Sequence, residues 1–234
     1  MLETTDVYRP AFASSEVIKM FIDQKYVESS AYHEAAHTVV AVALGMPLRS
    51  RGMHLDTFGS GISYYWFRVP GDPSNAPADI LERERTIMST YAGYIAQKNF
   101  YADCPPAGSW FDHDQNIKLL NEMYPNREDW FAAQVKLHAE TVGLVNLHWL
   151  AIEALAKALL ARPLTERVDD PERRWSTDVV ERFLDSAAIG TILRSFGLAA
   201  TVREDSAGSF YPNVVPASLP ILAFARCGKK LADD

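Results

Sequence analysis

The amino-acid sequence predicts a mostly α-helical fold with a small β-sheet, an α+β arrangement in which a histidine-bearing helix packs in a helical bundle beside a short β-hairpin. Several long stretches carry apolar residues at helical spacing, and one pair of short alternating segments surrounds a glycine-containing turn. The chain has 234 residues, of which 48% are hydrophobic. This length and composition are enough for one sizeable domain with its own core.

The first two helices are expected near the amino terminus. Residues 14–27 have amphipathic spacing and favour a short helix. Residues 28–45, ESSAYHEAAHTVVAVALG, favour a second helix, with Ser29 or Ser30 as its N-cap and Gly45 as its stop. The next two segments, LRSRGMHLD and GISYYWFRV, are separated by a turn-rich stretch, TFGSG, and this pattern predicts a β-hairpin.

The remaining helices are expected after the hairpin. Residues 78–101 and 111–124 each have a helical pattern, and the first turn of the second one is acidic. Residues 126–162 form a very long helical pattern, for which we expect a kink near Gly143. The stretch STDVVERFLDSAA, residues 176–188, predicts a short final helix.

The charge and the cysteine content bear on partners and location. The formal net charge of −7 argues against a nucleic-acid-binding surface, which would show clustered Lys and Arg. The two cysteines lack a CxxC spacing, the start of the chain lacks a signal-peptide pattern, and no apolar stretch reaches the ~20 residues of a membrane span. We therefore expect a cytoplasmic protein with no membrane span. The expected organisation is an N-terminal extension over 1–27, a main domain over 28–200 and a C-terminal tail over 201–234.

The stretch HEAAH, residues 33–37, carries the chemistry. On a helix, residues four apart lie on one face about 6 Å apart along the axis, so His33 and His37 can direct two nitrogens at one point. Zinc accepts this geometry from the HExxH motif. Glu34 would lie beside the metal, where it can take a proton from an activated water and pass it to a leaving amine.

The alternative is that both histidines are hydrogen-bonded core residues. A chance HExxH is expected in roughly one shuffle of this composition in a hundred, so accident is a poor explanation. A buried Glu34 without a partner would also be costly. A zinc site accounts for His33, Glu34 and His37 together.

A catalytic zinc site usually has three protein ligands, and HExxH supplies two. The extended form HExxHxxGxxH is absent, so the third ligand must come from elsewhere. The stretch GSWFDHDQNIKLL offers Asp112, His113 and Asp114 in consecutive positions. The competing explanation is that Asp112 only caps the helix, which needs no metal. The residues alone leave this choice open.

The stretch AYHEAAHTVVAVALGMPL resembles the zinc-binding helix of the FtsH-type peptidases, whose pattern is close to HEAGHAxxA and is zincin-like. The stretches YAGYIAQKNF and PPAGSWFDHDQNIKLL follow in the order of that family's small-residue helix and ligand loop. The resemblance covers about residues 28–184 and is most specific at the zinc helix. Family sequences usually have an alanine four residues after the ligand aspartate. Asn116 is then at that position for Asp112, whereas Lys118 is there for Asp114 and fits less well. The resemblance thus implies Asp112 as third ligand, with Asp114 as the alternative.

This chain departs from the family in three respects. Ala36 replaces the usual glycine of the motif, and Gln97 stands where the family often has a glutamate. The ATPase module and the transmembrane helices of the family are absent from the sequence. Gln97 removes a charge that would help to orient the ligands. Without the ATPase module, energy-dependent unfolding of substrates is not expected of this chain alone.

The resemblance implies a zinc metalloendopeptidase that acts on peptides or unfolded proteins, with Glu34 as general base. It leaves open a homo-oligomer or a separate partner ATPase. A catalytically silent relative with a binding or regulatory role is the main alternative, and a zinc hydrolase of small amides is a weaker one. His54, in the expected hairpin, is a candidate contact to substrate or oxyanion, although a lone strand histidine is more often simply half-buried.

Overall fold

The computed structural model describes residues 24–66, 77–104, 109–166 and 180–203. Within these ranges the chain is mostly helical with a small β-sheet, which confirms the expected fold class. The helices are α1 Gln24–Ala43, α2 Pro77–Phe100, α3 Trp110–Met123, α4 Arg127–Leu147, α5 Trp149–Leu160 and α6 Ser186–Arg194. The strands are β1 Leu48–Asp56, β2 Gly61–Tyr65, β3 Thr165–Glu166, β4 Val180–Leu184 and β5 Val202–Arg203.

Helix α1 lies at the centre of the molecule. All residues from Ser29 to Val42 are buried, because α1 is covered by α2, α5 and the β1–β2 hairpin. It ends at Ala43, two residues before the expected stop Gly45, which has a φ of 76° that glycine adopts at no steric cost. A helix buried on all sides has no polar face, so its polar residues require partners inside the protein.

The start of α1 differs from the expectation. Ser29 and Ser30 are not N-caps: both lie inside the helix, and their hydroxyls donate to the carbonyl oxygen of Tyr26 in the preceding turn. The expected division between residues 27 and 28 therefore falls within one continuous helix. The rest of the extension, up to residue 23, lies outside the described residues.

The sheet is larger than the expected hairpin. Strand β1 pairs antiparallel with β2, as predicted, and also with β4, while its first residues pair parallel with β5. Strand β3 pairs with β4, so the order is β2-β1-β4-β3 with β5 beside β1. The expected tail over 201–234 therefore begins within the sheet, and its residues beyond Arg203 lie outside the described residues.

The stretch 176–188 was expected to be one helix, and this prediction is wrong. Val180–Leu184 form strand β4, in which Leu184 is buried and Phe183 is exposed, and α6 begins only at Ser186. Asp185 separates the two elements, because its side chain accepts a hydrogen bond from the amide of Ala188 and caps α6.

The long helical pattern over 126–162 is also divided differently. Helices α4 and α5 meet at His148 with a bend of 70°, rather than at Gly143, which lies inside α4. No single helix among the described residues has both the length and the hydropathy of a membrane span; only the bent pair α4 and α5, taken together, meets that test.

Helices α2 and α3 form an antiparallel pair that positions the start of α3. Tyr124 donates to Glu84 at one end of the pair, and Thr90 donates to the amide oxygen of Asn116 further along. Ile87 and Leu119 share a buried cluster between these two contacts. Because the pair is antiparallel, the N-terminal turn of α3 lies beside the C-terminal half of α2. That half of α2 packs against α1.

Candidate metal centre

Three electron-pair donor atoms converge where α1, α2 and α3 meet. The Nε2 atoms of His33 and His37 are 2.8 Å apart. The Oδ2 atom of Asp112 lies 3.0 Å from the first of these nitrogens and 3.2 Å from the second. Among the described residues, these three form the one group of His, Cys, Asp and Glu side chains close enough to share a metal ion.

Two helices place the three donors. His33 and His37 are one turn apart on α1 and are both 5% exposed. Asp112 lies in the first turn of α3, where the helix dipole favours a negative charge. Ser109 occupies the N-cap position of α3, so Asp112 is not the cap, and its carboxylate is directed to the histidines.

The other nitrogen of each histidine contacts a carbonyl oxygen. His37 Nδ1 lies 2.7 Å from the backbone oxygen of Ser89, and His33 Nδ1 lies 3.2 Å from Oε1 of Gln97, both on α2. A carbonyl oxygen only accepts hydrogen bonds, so each Nδ1 carries the proton and donates it. In the neutral imidazoles both Nε2 atoms then present lone pairs to each other, the state in which histidine binds a metal.

Lone pairs and a carboxylate at these distances need a positive charge between them. Burial alone would raise the pKa of the Asp112 carboxyl, but the charges and hydrogen bonds of His37 and His33 hold it well below its usual range. Burial alone would lower the pKa of His37, but the neighbouring carboxylates, Asp112 foremost, raise it to about 9. The protein therefore concentrates negative potential at this point, which a proton or a metal cation can satisfy.

The donor set fits zinc. A tetrahedral zinc ion with ligands at about 2.0–2.1 Å separates its ligand atoms by about 3.3 Å, close to the three separations here. Room beside the group depends on Gly93 of α2, because a Cβ at this position would lie 2.5 Å from Nε2 of His37 and 2.7 Å from Nε2 of His33. Two imidazoles and one carboxylate are also the donor types of catalytic zinc sites, which keep a further position for water or substrate.

Glu34 lies beside the group, buried to 7% exposure. Its Oε2 atom accepts a hydrogen bond from the hydroxyl of Ser63 on β2, at 2.7 Å. Its Oε1 atom packs against Gly61, where a Cβ would lie 2.6 Å away. The carboxylate is thus buried and held by β2, and its charge helps to raise the pKa of the His37 imidazole.

The other candidate ligands lie apart from the group. The side chain of Asp114 is 59% exposed and pairs with Lys118 at 2.6 Å, on the outside of α3. His113, between the two aspartates, is exposed. The structure therefore brings Asp112 to the histidines and leaves Asp114 and His113 in solvent.

His54 is engaged elsewhere. Its Nδ1 lies 2.8 Å from a carboxylate oxygen of Glu181 on β4, and its Nε2 lies 3.1 Å from the backbone oxygen of Arg51. Its ring also contacts Tyr64 and Phe183 on the same face of the sheet. Both nitrogens are therefore occupied within the sheet, and the contact to substrate or oxyanion remains a prediction without support from this geometry.

Sequence reasoning did not identify three residues around the site. Ser89 contributes only a backbone oxygen, which no side-chain pattern reveals. Gly93 lies in the small-residue stretch YAGYIAQKNF, in which no residue was assigned to the site, but a Cβ there would meet the atoms of the two histidines. Ser63 stands in a predicted strand whose alternation would put it on the face of Tyr65, and that face is the one that meets α1.

Comparison of the sequence with protein-family models and with curated proteins finds no match. The resemblance to the FtsH-type peptidases therefore depends on the HEAAH helix and on the order of the elements that follow it.

Proposed function

We propose that this protein is a zinc-dependent metalloendopeptidase that resembles the FtsH-type peptidase domain. His33, His37 and Asp112 would hold the zinc ion, and Glu34 would act as general base. The observation that carries the proposal is the convergence of three donor atoms within 3.2 Å of one another beside a buried glutamate. A pair of ordinary core histidines would explain neither the carboxylate of Asp112 nor that of Glu34.

The bound metal would supply Lewis acidity, which makes a water more acidic and polarises the carbonyl of the peptide to be cleaved. Glu34 would accept the proton that this water loses as its oxygen bonds to the carbonyl carbon. The same carboxyl group would then give the proton to the amine nitrogen as the C–N bond breaks. Gln97 and Ser89 would hold the two imidazoles in the ligand tautomer throughout.

The sheet supports a peptide as the substrate class. Among the described residues, β2 lies at one end of the sheet, and Ser63 and Gly61 of this strand contact Glu34. An extended peptide that paired with the outer edge of β2 would run past the general base. Peptides and unfolded proteins present such extended segments freely, whereas folded proteins keep most of theirs paired or covered.

The location of the protein and its partners are also part of this proposal. A cytoplasmic location is retained from the cysteine content, and the partner remains either a second copy of the chain or a separate ATPase that would unfold substrates. Neither is needed for hydrolysis of a chain that is already unfolded.

The test is the replacement Glu34→Gln in the zinc-loaded protein. We expect the variant to bind zinc as the wild type does, because Glu34 is not a ligand. Hydrolysis of an unfolded protein should fall by about 10²- to 10⁴-fold, since an amide cannot act as a base. Hydrolysis at the wild-type rate with zinc bound would contradict the mechanism, and zinc without hydrolysis in the wild type would favour a silent binding protein.

A further inference from the structure

Strand β2 presents alternate residues to helix α1. Ser63 is paired with Met53 of β1 and Gly61 with Leu55, and both partners are fully buried. Because side chains alternate across a strand, Ser63 and Gly61 share the face that meets α1. The hydroxyl of Ser63 is 2.7 Å from Oε2 of Glu34 and 2.8 Å from the backbone oxygen of the same residue.

The two contacts fix the hydroxyl with respect to α1. The backbone oxygen of Glu34 belongs to a rigid, buried helix, so a hydroxyl within hydrogen-bond distance of it has a defined position. The single proton of this hydroxyl is within reach of both oxygens, and the charged carboxylate is the stronger acceptor. Ser63 is therefore a fixed donor that selects one orientation of the Glu34 carboxylate.

Gly61 restricts the same carboxylate from the other side. A Cβ at this position would lie 2.6 Å from Oε1, so the carboxylate occupies space that only glycine leaves. With Oε2 bound to Ser63 and Oε1 against Gly61, rotation of the group is limited on both sides. Each carboxylate oxygen has two lone pairs, so acceptor capacity for a water proton remains.

We propose that Ser63 is a positioning residue that acts through Glu34, holding the general base in the orientation that proton transfer requires. This inference rests on the proposed peptidase function. It assigns to β2 a second role beside substrate pairing, because the strand that would bind the peptide also orients the base. The hydrogen bonds of Ser63 go to Glu34 and not to His33, His37 or Asp112, so its loss should alter catalysis and leave zinc binding intact.

The experiment compares Ser63→Ala and Ser63→Thr with the unchanged Ser63. Each is prepared once in the chain that keeps Glu34 and once in a chain that carries Glu34→Ala. Zinc affinity is measured by competition with a chromogenic chelator. Binding of acetohydroxamate to the zinc-loaded proteins is measured by calorimetry. This probe binds zinc and gives its hydroxyl proton to a nearby base, so its affinity reports the placement of Glu34 without turnover. The kcat and KM for an unfolded protein are measured on the same samples.

We expect Ser63→Ala to keep zinc affinity within about 2-fold, and to lower acetohydroxamate affinity and kcat by about 10- to 100-fold with KM unchanged. Ser63→Thr, which keeps the hydroxyl, should restore most of both. In the Glu34→Ala background, Ser63→Ala should have no further effect on acetohydroxamate binding. An equal loss in both backgrounds, or no loss in either, would overturn the proposal.

The outcomes separate this inference from the function on which it rests. Coupling of Ser63 and Glu34 in acetohydroxamate binding, with no hydrolysis of any peptide, would overturn the peptidase and leave the positioning role in place. Hydrolysis that depends on Glu34 without such coupling would overturn only the role of Ser63. A wild type that binds no zinc would overturn both.

Discussion

Two clusters of histidine and carboxylate side chains in this molecule contain the same residue types but differ in what they can do. In the first, His33 and His37 of α1 meet Asp112 of α3. In the second, His54 of β1 meets Glu181 of β4. The side chains of both clusters are at most 17% exposed, so burial does not distinguish the clusters.

The difference lies in what the remaining ring nitrogens do. Each histidine of the first cluster donates its Nδ1 proton to an uncharged carbonyl oxygen on α2, which leaves two Nε2 atoms directed at one point. His54 has both nitrogens occupied, one by Glu181 and the other by the backbone of Arg51. The first cluster gathers lone pairs and needs a cation, whereas the second is complete in itself and fastens β1 to β4.

The largest effect that tests this comparison is expected from Asp112→Ala. Removal of one of three protein ligands should abolish stoichiometric zinc binding, and hydrolysis with it. Asp114→Ala, two residues away on the same helix but exposed, is the matched control and should keep one zinc per chain. Glu181→Gln should keep it as well, although the carboxylate of the second cluster is lost.

Metal analysis after dialysis measures all three variants. Loss of zinc in Asp114→Ala, or its retention in Asp112→Ala, would reverse the ligand assignment. Loss of zinc in Glu181→Gln would show that the two clusters do not act independently.

A smaller effect is expected from Gly93→Ala. The added methyl group would come within 2.5 Å of Nε2 of His37, so the imidazoles must shift, and zinc affinity should fall by about 10- to 100-fold. Gly143→Ala in α4 is the control, because a Cβ there meets nothing within 4 Å. That variant should keep its zinc affinity and gain about 0.5–1 kcal/mol in the free energy of unfolding, as alanine favours a helix interior.

Competition with a chelator measures the zinc affinity, and urea denaturation measures the free energy of unfolding. Unchanged zinc affinity in Gly93→Ala would mean that the nitrogens facing Gly93 are not the ones that hold the metal.

The smallest effect on activity is expected from His54→Gln. Because His54 pairs with Glu181 rather than with the metal group, hydrolysis should stay within about 2-fold of the wild type. The free energy of unfolding should fall by about 1–3 kcal/mol, since a buried carboxylate loses its hydrogen bond from the imidazole. Hydrolysis slowed by about 10-fold or more with zinc retained would instead support the contact to substrate or oxyanion that the sequence suggested for His54.

The histidine helix could be predicted from the sequence because its information is local. The spacing of the two histidines places both on one face of α1, with Glu34 between them, and Gly45 predicts where the helix stops. Both inferences need no knowledge of the rest of the chain. The β1–β2 hairpin is local in the same sense. The start of α1 was misjudged because Ser29 and Ser30 favour N-caps in general, whereas here they donate to the preceding turn of a longer helix.

The rest depends on contacts between distant residues. Asp112 is 79 positions after His33, and the residues alone did not decide between Asp112 and Asp114. The register of α2 and α3 decides which of them reaches the histidines. Strand β4 was taken for a helix because five residues cannot establish a period, and pairing with β1 determined its conformation. Ser63 and Gly93 acquire their importance only from what α1 presents to them.

The central claim is that His33, His37 and Asp112 form the metal centre of a peptidase. The most direct test is the zinc content of the purified wild-type chain, with hydrolysis of an unfolded protein followed in the same samples before and after chelation. The account predicts one zinc per chain, cleavage of the unfolded protein, and loss and recovery of cleavage as zinc is removed and returned. A chain that binds no zinc even after reconstitution would contradict the account and make HEAAH a buried helix with two hydrogen-bonded histidines.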